Sequence, residues 1–157
     1  MPDRDTVVGV ISDTHGLLRP EAVAALRGSD LIIHAGDVGK PEVIEALRAI
    51  APTFVVRGNI DKAHWAQALP MTELVAVGES QFFVLHDIAD LDLDPATAGF
   101  AAVVYGHSHQ PSTETREGVL FLNPGSAGPR RFTLPVTVAR VVVSARGLAS
   151  EIVELKV

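Results

Sequence analysis

A chain of 157 residues, 47% hydrophobic and 20% charged, is long enough for one domain with a substantial buried core, and its composition is that of a soluble globular protein. It contains no cysteine, which excludes disulfides, thiolate nucleophiles and cysteine-ligated zinc. The net charge of −6 disfavours a nucleic-acid backbone as main partner, because such binders carry a basic stripe. No apolar run nears the roughly 20 residues that span a bilayer. The charged start, Met1-Pro2-Asp3-Arg4-Asp5, is not a signal peptide, so the cytoplasm is the expected compartment.

In chain order, Val7 to Ile11 is a β-branched run that reads as a buried strand. Pro20 opens a helix running to Arg27, with Gly28 as its stop. Leu31 to Ala35 reads as a second buried strand. Pro41-Glu42 opens a second helix, with Val43, Ile44, Leu47 and Ile50 at helical spacing. Thr53 to Val56 completes a β-α-β-α-β pattern, which predicts a parallel sheet with right-handed crossovers. After Pro70 the rhythm changes. Thr72 to Val77 and Gln81 to Leu85 flank Gly78-Glu79-Ser80 and read as a hairpin. Ala101 to Tyr105 is another buried strand, and two more hairpins turn at Glu117-Gly118 and Arg146-Gly147. The expected fold class is α/β: a two-sheet β-sandwich flanked by helices, with residues 1–157 forming one domain and no linker.

The polar residues fall at the ends of these strands. The first strand runs into Ser12-Asp13-Thr14-His15-Gly16, the second into Gly36-Asp37, and the third into Gly58-Asn59-Ile60-Asp61. Gln81 to Leu85 ends in His86, and Ala101 to Tyr105 ends in Gly106-His107-Ser108-His109. In open α/β sheets ligands bind at the carboxyl ends of strands. Carboxylate, imidazole and amide donors together suit manganese, iron, cobalt, nickel or zinc better than calcium. Asp37 stands alone in its motif, and its two oxygens could bridge two ions held about 3.5–4 Å apart. Two such ions acidify a water, so no protein nucleophile is required.

DxH, GD, GN, a lone His and then GHxH, in that order, resemble the calcineurin-like metallophosphoesterase superfamily. The short length and the late Asn123-Pro124-Gly125-Ser126 motif are similar to its small bacterial and archaeal phosphodiesterase branch, to which the metallophosphoesterase-fold retromer subunit is related. The resemblance implies that Asp13, His15 and His109 hold a first metal, that Asn59, His86 and His107 hold a second, and that Asp37 bridges. It implies two divalent transition-metal ions, manganese foremost, with nickel, iron, cobalt and zinc as alternatives. It also implies a small phosphoester substrate whose phosphate lies beside Asn59. Asn59 and His107 are the candidates for direct catalytic roles.

Two departures from the family pattern stand out. Many members carry a His after the GN asparagine, where it protonates the leaving group, and here that position is Ile60. Asp61 or a metal-bound water is the candidate substitute. The loss favours activated or phenol-like diesters over alkyl phosphates. The second departure is His86-Asp87, where His-Gly is frequent. Asp87 reads as a solvated loop carboxylate, with orientation of a neighbouring His as the other possibility. His34 reads as a core imidazole, His64 as a surface His near the rim and Trp65 as buried. Asp90, Asp92 and Asp94 read as a solvated acidic segment. Arg130 has the planar fork that binds phosphate and is the candidate substrate contact, set against a surface role shared with Arg131. The expected activity is metal-dependent hydrolysis of small or activated phosphodiesters. The alternatives are a phosphomonoesterase and a non-catalytic module on the same scaffold. A membrane partner is not expected, a nucleic-acid partner is disfavoured, and a homodimer is left open.

Overall fold

The computed structural model describes residues 5–157, so the charged start at 1–4 lies outside the described residues. Its strands are β1 (Thr6–Ile11), β2 (Leu31–His34), β3 (Thr53–Val55), β4 (Thr72–Val77), β5 (Ser80–Leu85), β6 (Ala102–Val104), β7 (Ser112–Arg116), β8 (Val119–Asn123), β9 (Thr137–Ser144) and β10 (Gly147–Glu154). The helices are α1 (Pro20–Leu26), α2 (Pro41–Arg48) and α3 (Pro95–Ala98), with short 3₁₀ turns at His64–Ala68 and Ile88–Asp90. Each α-helix carries a proline in its first turn, where the missing N–H costs no hydrogen bond.

Two five-stranded sheets form, in the orders β10-β9-β1-β2-β3 and β4-β5-β6-β8-β7. Period-two alternation decides what each strand side faces. Val8, Val10 and Ile33 of one sheet meet Val75, Phe82, Val84 and Val104 of the other, forming the central core. On the far side of the first sheet, Ile32 and Val55 pack under Leu26 of α1 and Leu47 of α2. On the far side of the second, Val103 and Phe121 are covered by Ile88, Leu91 and Ala96. The predicted sandwich with helices outside is therefore observed.

Three features go beyond the sequence reading. The second sheet is mixed, because β6 lies parallel to both β5 and β8. The crossover from β5 to β6 contains α3, whose N-cap is Asp94, accepting from the Ala96 and Thr97 N–H groups. The β9–β10 hairpin returns to the first sheet, where β9 pairs antiparallel with β1. No helix among the described residues is long and apolar enough to cross a membrane.

Register sets up the site. Ile11 pairs with His34, and His34 pairs with Val55. The chain segments carrying Asp13, Asp37 and Asn59 therefore leave the sheet at the same level.

Candidate metal centre

The loops after these strands are laced together by backbone. Asp13 N–H donates to Gly36 O, His15 N–H to Asp37 O and Gly16 N–H to Val38 O. Beneath them lies His34, fully buried. Gly36 N–H donates to its Nδ1 at 3.1 Å, so Nε2 carries the proton and donates to Thr14 Oγ1 at 3.0 Å. The Thr14 hydroxyl in turn donates to Val38 O. Burial drives the His34 pKa down to about 4, so this ring is neutral near pH 7 and works as a fixed crosslink between two loops.

The buried carboxylates of Asp13 and Asp37 are each half engaged. Asp13 Oδ2 accepts from Ser12 Oγ at 2.7 Å and from His107 N–H at 3.1 Å. Its Oδ1 has no hydrogen-bond partner and lies 3.4 Å from His109 Nε2 and 3.9 Å from the Nε2 atoms of His15 and His86. Asp37 Oδ1 accepts from Ile60 N–H at 3.0 Å, while Oδ2 lies 3.3 Å from His86 Nε2 and 3.6 Å from His15 Nε2. His15 Nε2 is likewise buried without a partner. Free acceptor atoms facing imidazole nitrogens in a buried site call for a cation or a proton between them.

His86 shows which. Its Nδ1 donates to Ala35 O at 2.7 Å, which turns Nε2 toward Asp37, Asp13 and Asn59. Burial opposes charge on this ring, but the hydrogen bond to Asp37 and the charge of Asp13 outweigh it and raise the pKa to about 9. Burial likewise opposes the Asp37 anion, and the His86 and Ile60 hydrogen bonds overcome it, holding the pKa at about 2. In the metal-free protein a proton on His86 therefore stands where a cation would. Asn59 Oδ1 lies 3.0 Å from His86 Nε2 and 3.3 Å from His107 Nδ1. Turned over, the amide would instead donate to His86 Nε2 at 3.0 Å and to both Asp37 oxygens at 3.2 Å, the orientation in which each end meets a complementary group.

Among the described residues, two groups of side chains could hold a metal ion: Asp13, His15 and His109, and Asp13, Asp37 and His86. The structure thus brings Asp13, His15, Asp37, His86 and His109 together, with Asn59 and His107 adjoining through the amide oxygen. Asp13 as well as Asp37 reaches toward His86, which the sequence reading did not anticipate. Asp13, His15, Asp37, His107 and His109 all adopt left-handed backbone, with φ between 48° and 73°. Non-glycine residues rarely do so, and such outliers gather at functional sites.

The expectations at Asp61, Arg130 and Trp65 are corrected. Asp61 is not poised as an acid. It is buried, and its carboxylate accepts from the N–H groups of Val38, Gly39 and Gly58 at 2.9–3.0 Å, so it clamps the loop of Asn59 to the loop of Asp37. Arg130 is exposed and donates to Leu134 O within its own loop, so the structure gives no support for a substrate contact. His64 is exposed, and Trp65 is half-buried against the helical side of the first sheet. Asp87 does two things: Oδ1 caps the 3₁₀ turn by accepting from Ala89 N–H, and Oδ2 lies 3.7 Å from His107 Nε2.

The late Asn-Pro-Gly-Ser turn supports the site from behind. Asn123 Nδ2 donates to Gly106 O and Ser108 Oγ, and Ser126 Oγ donates to Asp13 O. Arg57 and Met71, which wall a cleft beside Asn59, carried no signal in the sequence.

Two stacked sheets with acid and imidazole side chains gathered at one edge define a metallophosphoesterase fold. The chain belongs to the calcineurin-like phosphoesterase superfamily: the profile of that superfamily domain matches residues 7–146. A probable metallophosphoesterase of Methanothermobacter thermautotrophicus is 35% identical over 148 residues, covering 86% of each chain. Among solved structures, the chain resembles vacuolar protein sorting 29 from Cryptosporidium parvum, with a TM-score of 0.82 at 21% identity, covering 98% of this chain and 93% of that one. It also resembles an archaeal phosphodiesterase, with a TM-score of 0.77 at 22% identity, covering 94% of this chain and 100% of that one.

Proposed function

We propose that the cluster holds two divalent transition-metal ions and that the protein uses them to hydrolyse small or activated phosphodiesters. The observation that carries this reading is the pair of half-engaged carboxylates. Asp13 Oδ1 and Asp37 Oδ2 face imidazole nitrogens while the other oxygen of each is held by protein hydrogen bonds. Asp13, His15 and His109 would hold one ion, Asn59, His86 and His107 the other, and Asp37 would bridge them. The donor set suits manganese, and it also fits nickel, iron, cobalt and zinc. Ions of this kind, when bound, acidify water and neutralise phosphoryl charge.

The chain's own residues supply order. His34, Thr14 and Asp61 hold the loops in register. Asn59 is the candidate phosphate donor, through the amide nitrogen left over when its oxygen serves a cation. Ile60 has no proton to give, and Asp61 is fully engaged by backbone N–H groups. The leaving group therefore departs without a positioned protein acid, which slows poor leaving groups by roughly 10²–10⁴-fold. Aryl diesters are accordingly preferred to alkyl ones.

Manganese-loaded protein is expected to turn over bis(p-nitrophenyl) phosphate at least about tenfold faster than p-nitrophenyl phosphate, and dialkyl diesters far more slowly than either. A faster rate on the monoester would reassign the protein as a phosphomonoesterase. No turnover with any ion would leave a non-catalytic module.

Metal uptake should depend on pH through His86. Its folded pKa of about 9 exceeds the ordinary 6.5, so its proton stabilises the metal-free fold fully below about 6.5, and that contribution is lost as pH rises through about 9. A metal ion must displace this proton. Affinity should therefore climb with pH up to about 9, with about one proton released per protein near neutrality. Calorimetry in buffers of different ionisation enthalpy counts that proton, and a pH-independent affinity would contradict the assignment.

A further inference from the structure

A cavity of about 180 Å³ opens directly beside the cluster. Asn59, His86 and His107 form the wall it shares with the metal centre, and Met71 and Leu85 supply apolar surface. Its floor is the first pair of the β4–β5 hairpin, Thr72 opposite Leu85, with Leu85 only 3% exposed. The rim is tied down: Arg57 N–H donates to Pro70 O, and Arg57 Nε donates to Met71 Sδ at 3.2 Å. Arg57, Asp87 and Asp90 line the same cavity. Among the described residues no ion pair joins Arg57 to either carboxylate.

A phosphoryl group held at Asn59 and His107 would have this cavity immediately next to it. The size is telling, because an apolar cavity of about 150 Å³ accommodates benzene. The volume matches one six-membered ring, and a fused bicyclic ring would have to extend past Met71 at the open rim. Charge narrows the choice further. Two carboxylates against one guanidinium make an anionic arm unfavourable, whereas an uncharged ring can lie between Met71 and Leu85 with its edge toward either polar group.

Building on the phosphodiesterase reading above, we propose that this cavity is the subsite for one ester arm of the substrate, and that it takes a single uncharged ring of phenyl or pyrimidine size. Met71 sets the size limit. It is 58% exposed at the rim, and its one hydrogen bond is accepted at Sδ from the Arg57 side chain rather than from a group that faces the cluster, so it can be varied without disturbing the core.

The test uses manganese-loaded full-length protein and non-hydrolysable phosphonates as competitive inhibitors of diester turnover. Phenylphosphonate should bind about tenfold more tightly than methylphosphonate, the effect expected from burying most of one ring. 2-Naphthylphosphonate and 4-carboxyphenylphosphonate should each fall back to the methyl level or below. In Met71→Ala the naphthyl-to-phenyl ratio should shift by at least about fivefold toward naphthyl. The proposal is overturned if phenyl and methyl bind alike, if naphthyl matches phenyl in the unaltered protein, or if Met71→Ala leaves the ratio unmoved. Those results would leave diester hydrolysis intact. A lack of turnover with any ion would instead overturn the parent reading, and this subsite with it.

Discussion

Asp37→Ala is expected to abolish metal-restored diester hydrolysis, lowering kcat/KM by at least about 10³-fold. That exceeds the roughly 10–100-fold typical of residues that only support a ligand. Asp37 faces groups from three other loops, through Ile60, His86 and His15. Oδ1 receives the Ile60 N–H, and Oδ2 is the nearest carboxylate oxygen to the Nε2 atoms of both His86 and His15. Alanine removes the shared oxygen and leaves the Ile60 N–H without its partner. It also removes the hydrogen bond that raises His86, so the His86 pKa in the metal-free variant should fall below its present value of about 9. Metal content, diester rate and an NMR titration of His86 check the three parts separately. Diester turnover that survives in Asp37→Ala would remove the bridging role altogether.

Gly58→Ala should be nearly as damaging, although position 58 offers no side chain to any reaction. A Cβ there would sit 2.1 Å from both the backbone nitrogen and Oδ1 of Asp37. Neither atom is the end of a flexible chain, so the loop carrying Asn59 must move away from the loop carrying Asp37. The shift would break the Asp61 clamp, whose three N–H donors come from both loops. The expected cost is about 3 kcal/mol of stability, at the upper end for overpacking, together with loss of at least one bound metal equivalent. Gly78→Ala is the matched control. Its Cβ would meet nothing within 4 Å at a φ of 61°, so only the local strain of about 1 kcal/mol applies. Thermal unfolding and metal analysis of the two variants make the comparison. Wild-type metal content in Gly58→Ala would show that the close loop packing is dispensable.

The strands and the gathering of Asp13, Asp37, Asn59, His86 and His107 at one edge were legible because buried strands read as β-branched runs and their polar ends interrupt them abruptly. The α/β crossovers announced themselves through Pro20 and Pro41 at helix starts. What escaped depends on which backbone group a side chain meets. Asp61 and Asp37 have the same chemistry and similar settings, one residue after Asn59-Ile60 and the other after Gly36. Only the fold reveals that Asp61 spends its oxygens on three N–H groups while Asp37 keeps one oxygen open. The cleft beside Asn59 escaped for a related reason. Arg57, Met71, Leu85 and Asp90 come from four separate segments with no shared periodicity. Asp94 resembled a solvated acid because an N-cap four residues from the end of a short helix has too little pattern around it to be recognised.

The left-handed backbone at Asp13, His15, Asp37, His107 and His109 bears on how this protein can change over generations. Each such residue carries a conformational penalty of about 1 kcal/mol that glycine would avoid and asparagine would lessen. Together the five amount to about 5 kcal/mol, the scale of the whole folding free energy of a modest domain. A lineage released from the need for activity would gain stability with its first substitutions at these very positions. Inactive descendants of such a chain should therefore be sturdier proteins, with glycine or asparagine accumulating where aspartate and histidine now stand.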